Sequence, residues 1–260
     1  MGRIIAVANQ KGGVGKTTTS INLAACLAEK GKKVLAIDMD PQGNLTSGLG
    51  INKNELDLTI YNAMCNEINI GECTIVRPLG QKLDISVVPA NRELAGAEVE
   101  LINVEKPQHI LKKLIKNLRS KYDFIIIDCP PALGMLTINS MTAADTVLVP
   151  IQCEFFALDG LSQLIYTIGL IKKQLNKSLE IEGVVFTMYD SRTNLSLEVV
   201  ENVKNNLDQF IYSTIIPRNV RLAESPSFGL PINLYDSRSS GAQAYRELAS
   251  EVINNKLFAI

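Results

Sequence analysis

Residues 4 to 18 read Ile-Ile-Ala-Val-Ala-Asn-Gln-Lys-Gly-Gly-Val-Gly-Lys-Thr-Thr. A short apolar run, 4–8, feeds a glycine-rich loop. Lys16-Thr17-Thr18 then opens a stretch of helical period, with Ile21, Ala24, Ala25 and Ala28 on one face. Strand, glycine loop and helix in this order form a phosphate-binding loop. Gly12, Gly13 and Gly15, with Val14 between them, let successive backbone N–H groups curl around an anion, and the helix N-terminus adds its positive dipole end. In such loops the lysine, here Lys16, reaches the outer phosphates, and the adjacent hydroxyl, Thr17, binds Mg²⁺. The ordinary spacing puts a glycine five residues before Gly15. This chain has Gln10 there, and a second lysine, Lys11, stands inside the loop.

The rest of the chain alternates in the way such a loop requires. Apolar, β-rich runs fall at 4–8, 33–37, 83–88, 124–127, 146–151, 181–187 and 211–215. Helical patterns at 20–30, 107–120, 133–143, 158–175, 196–208 and 241–254 separate many of them. Continuous apolar strands between helices predict an α/β fold with a mainly parallel twisted sheet covered by helices on both faces. Ligands of such sheets gather beyond the C-terminal strand ends, where the glycine loop leaves the first strand. Residues 41–82, rich in Gly, Asn and Thr, read as an irregular insertion with short helices. No linker or repeat divides residues 1–260, so one domain is expected.

Two further strand ends carry acids. Ile37-Asp38-Met39-Asp40-Pro41-Gln42-Gly43-Asn44 follows the second strand. A carboxylate there can accept a proton from water or hold that water in line with a terminal phosphate; Asp-Pro and Gln-Gly also favour a turn, and the two readings are compatible. The run 124–127 ends in Asp128, followed by Cys129-Pro130-Pro131. An apolar strand ending in Asp suits a Mg²⁺ ligand.

Bulk composition excludes little. The 26 basic and 27 acidic residues nearly cancel, so any nucleic-acid binding has to come from a local patch. The five cysteines include no C-x-x-C pair and several lie in apolar stretches, which suits reduced core thiols of a cytosolic protein. No signal-peptide pattern precedes the first strand, and no charge-free apolar stretch of membrane-spanning length is present. The lone His109 reads as a helix-surface residue.

Lys11-Gly12-Gly13-Val14-Gly15-Lys16-Thr17 resembles the deviant Walker A motif, K-G-G-x-G-K-[ST], of the ParA/MinD group of P-loop ATPases. D-x-D-P-Q-G-N resembles that family's A′ segment, and 124–128 its Walker B strand. Further segments, 149–161 and 216–225, are most similar to the chromosomal, Soj-like branch of ParA-type partition ATPases.

The resemblance implies a P-loop NTPase fold, ATP and Mg²⁺ as cofactors, and slow ATP hydrolysis. Asp40 would serve hydrolysis, while Thr17, Asp38 and Asp128 would surround the metal. The Pro217–Asn219 segment would edge the adenine. Met188 would pack on the base or, equally, sit in the core. ATP would close a homodimer in which Lys11 reaches the partner's nucleotide. The dimer would bind double-stranded DNA without sequence preference through Arg192, Arg218 and Arg221, with Arg238 and Arg246 extending the patch. A ParB-type centromere-binding protein would stimulate hydrolysis, on the nucleoid in the cytoplasm. A second basic group, Lys112, Lys113, Lys116, Arg119 and Lys121, reads as a solvated helix face.

The chain opens at the first strand, so no N-terminal helix-turn-helix extension is expected. The alternative is a MinD-type membrane-cycling ATPase. The tail 252–260 carries one lysine, too little charge for a lipid anchor, so no membrane partner is expected.

Overall fold

The computed structural model describes residues 2–80, 83–154 and 157–255. The strands are β1 (Arg3–Val7), β2 (Val34–Asp38), β3 (Ile75–Pro78), β4 (Asp84–Val88), β5 (Phe124–Asp128), β6 (Thr146–Gln152), β7 (Glu180–Tyr189) and β8 (Ile211–Pro217). They form one sheet in the order β3-β4-β2-β5-β1-β6-β7-β8. All neighbours pair parallel except β3 and β4. The expected α/β architecture is present.

The helices are α1 (Lys16–Glu29), α2 (Asn44–Gly48), α3 (Ile60–Cys65), α4 (Leu94–Glu100), α5 (Ile110–Ile115), α6 (Met135–Ala143), α7 (Ala157–Gln174), α8 (Asn194–Asn206), α9 (Val220–Glu224), α10 (Ile232–Tyr235) and α11 (Ser240–Asn254). The central strands alternate between two cores. Ile4, Ala6 and Ala8 join the layer that contains residues of α3 to α8. Ile5 and Val7 face the layer under α1 and α11. Burial on both sides explains why these strands are apolar without a period of two.

Three departures from the sequence pattern are informative. The edge strand β3 lies inside the stretch expected to be irregular; its residues alternate between half-buried and exposed, and it ends in Pro78, so it carries little strand signal. The helix α4 was not expected from the pattern at all. The helix expected over 107–120 is a short 3₁₀ turn, Pro107–His109, followed by α5. Beyond Ile115 the chain tightens into i→i−3 bonds (Leu118 N to Ile115 O, 3.0 Å; Lys121 N to Leu118 O, 2.9 Å) as it turns into β5. His109 is half-buried at the start of α5.

Candidate functional site: a phosphate loop with a base cavity

Sheet register sets up the site. Val7, Asp128 and Asp38 stand side by side at the C-terminal ends of β1, β5 and β2. The loop that leaves β1 therefore begins beside both acids. Gly13 and Gly15 take φ of 76° and 84°, the left-handed region that glycine enters without strain. The loop is pinned from outside. Asn9 Nδ2 donates to the Pro150 carbonyl (2.8 Å) and its Oδ1 accepts from Lys11 N (2.9 Å). The Thr187 hydroxyl lies 2.9 Å from the Val14 carbonyl and 3.0 Å from that of Ile151. Neither Asn9 nor Thr187 was singled out from the sequence.

A cavity of about 500 Å³ is lined by Gly12, Gly13, Gly15, Lys16, Thr17, Thr18, Asp40, Pro41, Gln42, Asn44, Pro131 and Met188. Sequence reasoning named most of this wall. Lys16 is 7% exposed and donates to the Lys11 carbonyl at 2.9 Å. Burial pulls its ammonium pKa down, against the pull of Asp128, Cys129 and Asp40.

The two strand-end acids are fully buried. Asp128 accepts from Thr17 Oγ1 (2.8 Å) and Ser20 Oγ (2.8 Å). Asp38 accepts from Asp40 N (3.1 Å), Thr46 N (2.9 Å) and Thr46 Oγ1 (2.7 Å). Burial raises both carboxyls above the usual range; the charge of Asp38 adds to the rise of Asp128, and hydrogen bonds oppose it. A hydroxyl and a carboxylate 2.8 Å apart, at the edge of a cavity lined by backbone N–H groups, suit a hard cation shared with phosphate oxygens. Thr17 and Asp128 are placed for that. Neither Asp38 nor Asp128 lines a cavity itself; Asp128 bonds Thr17, which does, whereas the oxygens of Asp38 hold α2 and the Asp40 backbone, so Asp38 supports the site from behind. Asp40 does line the cavity, and its Oδ1 accepts from Gln42 N at 2.9 Å.

A second cavity of about 330 Å³ adjoins the first through Gly15, Thr18 and Met188. Its lining is mostly apolar: Thr187, Met188, Ile216, Pro217, Arg218, Asn219, Val220, Leu222, Ala223 and Tyr245 complete it. Its size and lining suit a nucleotide base. Met188 is 36% exposed and has φ of 52°, so it is a wall residue and not part of the core. Asn219 Oδ1 caps α9 through Arg221 N (2.8 Å) and Leu222 N (3.3 Å), and its amide donates to Ser240 Oγ (2.9 Å). Those bonds occupy both ends of its amide.

Lys11 departs from the other loop residues. Its side chain is 41% exposed and pairs with Glu154, just beyond β6. It does not line the cavity that Lys16 lines. Of the arginines expected to meet DNA, Arg192 and Arg221 are paired with acids. Arg192 makes two bonds to Asp190 (2.8 and 2.6 Å), and this contact pulls the Asp190 carboxyl far below its usual range. Arg221 pairs with Glu224 (2.9 Å) and Asp236 (3.7 Å). Arg218 is exposed and borders the base cavity, and Arg238 is exposed. Arg246, expected to extend the patch, bonds Glu29 of α1 (2.8 and 2.9 Å). Arg119 likewise leaves the solvated face and pairs with Asp145 (2.8 Å).

Four of the five cysteines are buried and Cys65 is half-buried; all are free thiols. Among the described residues no helix is long and apolar enough to cross a membrane. The end of the tail, residues 256–260, lies outside the described residues.

A family model described as an AAA domain matches residues 2–181. The sporulation initiation inhibitor protein Soj of Bacillus subtilis is 53% identical over 258 residues, which cover 98% of this chain and 100% of Soj. The chromosome partitioning protein ParA of Myxococcus xanthus is 51% identical over 253 residues, 97% of this chain and 88% of that protein. Among solved structures, cobyrinic acid a,c-diamide synthase of Mycobacterium smegmatis with bound ADP and magnesium superposes with a TM-score of 0.85 at 36% identity, covering 98% of this chain and 95% of that one. The same synthase has been solved with an ATP analogue and magnesium. With near full-length likeness added to the loop, the paired strand-end acids and the base cavity, this chain belongs to the ParA/MinD family of P-loop ATPases.

Proposed function

We propose that this chain is an ATP-dependent switch in chromosome partitioning. The backbone of residues 12–18 and Lys16 hold the phosphates of ATP. Thr17 and Asp128 hold Mg²⁺, which when bound neutralises charge on the phosphate oxygens. Met188, Pro217 and Asn219 flank the base. Asp40 orients the attacking water, and Asp38 fixes the Asp40 segment through Thr46. Two chains close over two nucleotides, each offering Lys11 to the phosphates held by its partner. The closed homodimer presents a duplicated set of Arg192, Arg218 and Arg221 to the backbone of double-stranded DNA. Hydrolysis, stimulated by a ParB-type centromere-binding partner, returns the chain to the free state, so it cycles on and off the nucleoid in the cytoplasm.

Lys11 carries this proposal. A loop already served by Lys16 has a second lysine that projects outward, beyond its own phosphate cavity. Relatives named for chromosome partitioning align with this chain over nearly its whole length. DNA retardation tests it, run with ATP, with ADP and with Asp40→Ala. DNA should shift with ATP and stay free with ADP, and Asp40→Ala should hold it shifted, since hydrolysis is lost while nucleotide contacts remain. Equal retardation with ADP would overturn the switch.

A further inference from the structure

The helix α6 begins seven residues beyond Asp128, and its N-cap position is Gly134, which has no side chain to offer. The cap comes from another element. Glu98 of α4 accepts from Met135 N through Oε2 (2.9 Å) and from Leu136 N through Oε1 (3.2 Å). A carboxylate at this end also meets the favourable end of the helix dipole. The approach is close: a Cβ at position 134 would lie 2.4 Å from Glu98 Oε1. A Cβ at 134 would therefore make the Glu98 carboxylate shift from its present place.

The segment between Asp128 and α6 is held at one end by β5 pairing and at the other by Glu98. The Thr137 hydroxyl adds one internal bond, to the Ala132 carbonyl (2.6 Å). Pro131, in the middle, lines the phosphate cavity together with Gly12 and Asp40. Glu98 itself lies outside that lining. Its neighbour Val99 is 69% exposed, so α4 links this wall to the outer surface.

We propose that Glu98 is a positioning residue for ATP turnover: it acts through the N-terminus of α6 to set where the Pro131 wall stands. This rests on the ATPase reading above. The measurements are single-turnover hydrolysis, nucleotide affinity by a fluorescent ATP analogue, and thermal unfolding, all on the full chain. Glu98→Gln keeps the shape and one acceptor but loses the charge and one strong bond; its hydrolysis rate should fall about fivefold while nucleotide affinity stays within about twofold. Glu98→Asp should recover part of the rate. Gly134→Ala should also slow hydrolysis, and the loss in Gly134→Ala/Glu98→Ala should be smaller than the two single losses combined, because the clash is gone. An unchanged or faster rate in Glu98→Gln, whatever its melting temperature, would overturn the proposal. So would a loss of affinity that accounts for the loss of rate. A wild-type chain without turnover would overturn the ATPase reading itself, and that control separates the two failures.

Discussion

The ammonium of Lys11 and the carboxylate of Glu154 form an ion pair within one chain, on the rim of the phosphate loop. Both side chains are more than a third exposed, so the pair is weak and easily exchanged; such pairs contribute about 0.2–1 kcal/mol. In the proposed dimer Lys11 exchanges this carboxylate for the phosphates held by its partner. Lys11→Ala should abolish the ATP-dependent dimer in sedimentation. Glu154→Gln releases the lysine and should tighten the ATP-dependent dimer by up to about fivefold.

Thr46 links the second strand-end acid to the neighbouring strand. Its hydroxyl donates to Asp38 and accepts from Ala90 N at 3.0 Å. Thr46→Val keeps the volume and removes both bonds, leaving a buried carboxylate short of a donor and a buried N–H without an acceptor. The expected loss is about 2–3 kcal/mol in urea unfolding. ATP hydrolysis should fall with it, since Asp38 also holds the Asp40 backbone.

The arginine patch carries its own competitors. Because Arg192 is doubly bonded to Asp190, Asp190→Asn should strengthen DNA binding in the ATP state, whereas Arg192→Ala should weaken it with ATP turnover intact. About three phosphate contacts per chain give about six per dimer, and log K should fall with log salt at a slope near −5. A nitrocellulose-filter titration from low to moderate salt measures this, and Arg192→Ala should flatten the slope by about 2.

Burial sets the chemistry of the thiols. It pushes Cys26 and Cys129 up to about 12 and Cys65 and Cys153 up to about 11, and it raises Cys73 as well. The thiolate is the reactive form, so its fraction at pH 8 is lower in the folded chain than in the unfolded one. Ellman's reagent should therefore find no fast-reacting thiol in the native protein at pH 8, and all five after unfolding. Unfolded thiols ionise near pH 9 while the buried ones stay protonated, so the folded state binds more protons there and stability should fall as pH rises above about 9.

The glycine loop, the strand ends bearing Asp38, Asp40 and Asp128, and the alternation of apolar strands with helices are written locally. Each depends on residues within a few positions of one another, which is why the α/β fold and most of the phosphate wall were legible in the sequence. Strand order was not, because the pairing of β2 with β5, and hence of Asp38 with Asp128, joins segments about ninety residues apart. Tertiary packing also assigned partners that no local pattern encodes. Arg246 went to Glu29, Glu154 to Lys11, and Glu98 to the bare N-terminus of α6. Charged side chains look alike in a sequence; which of them are free to meet a ligand is decided by the distances that only the folded chain creates.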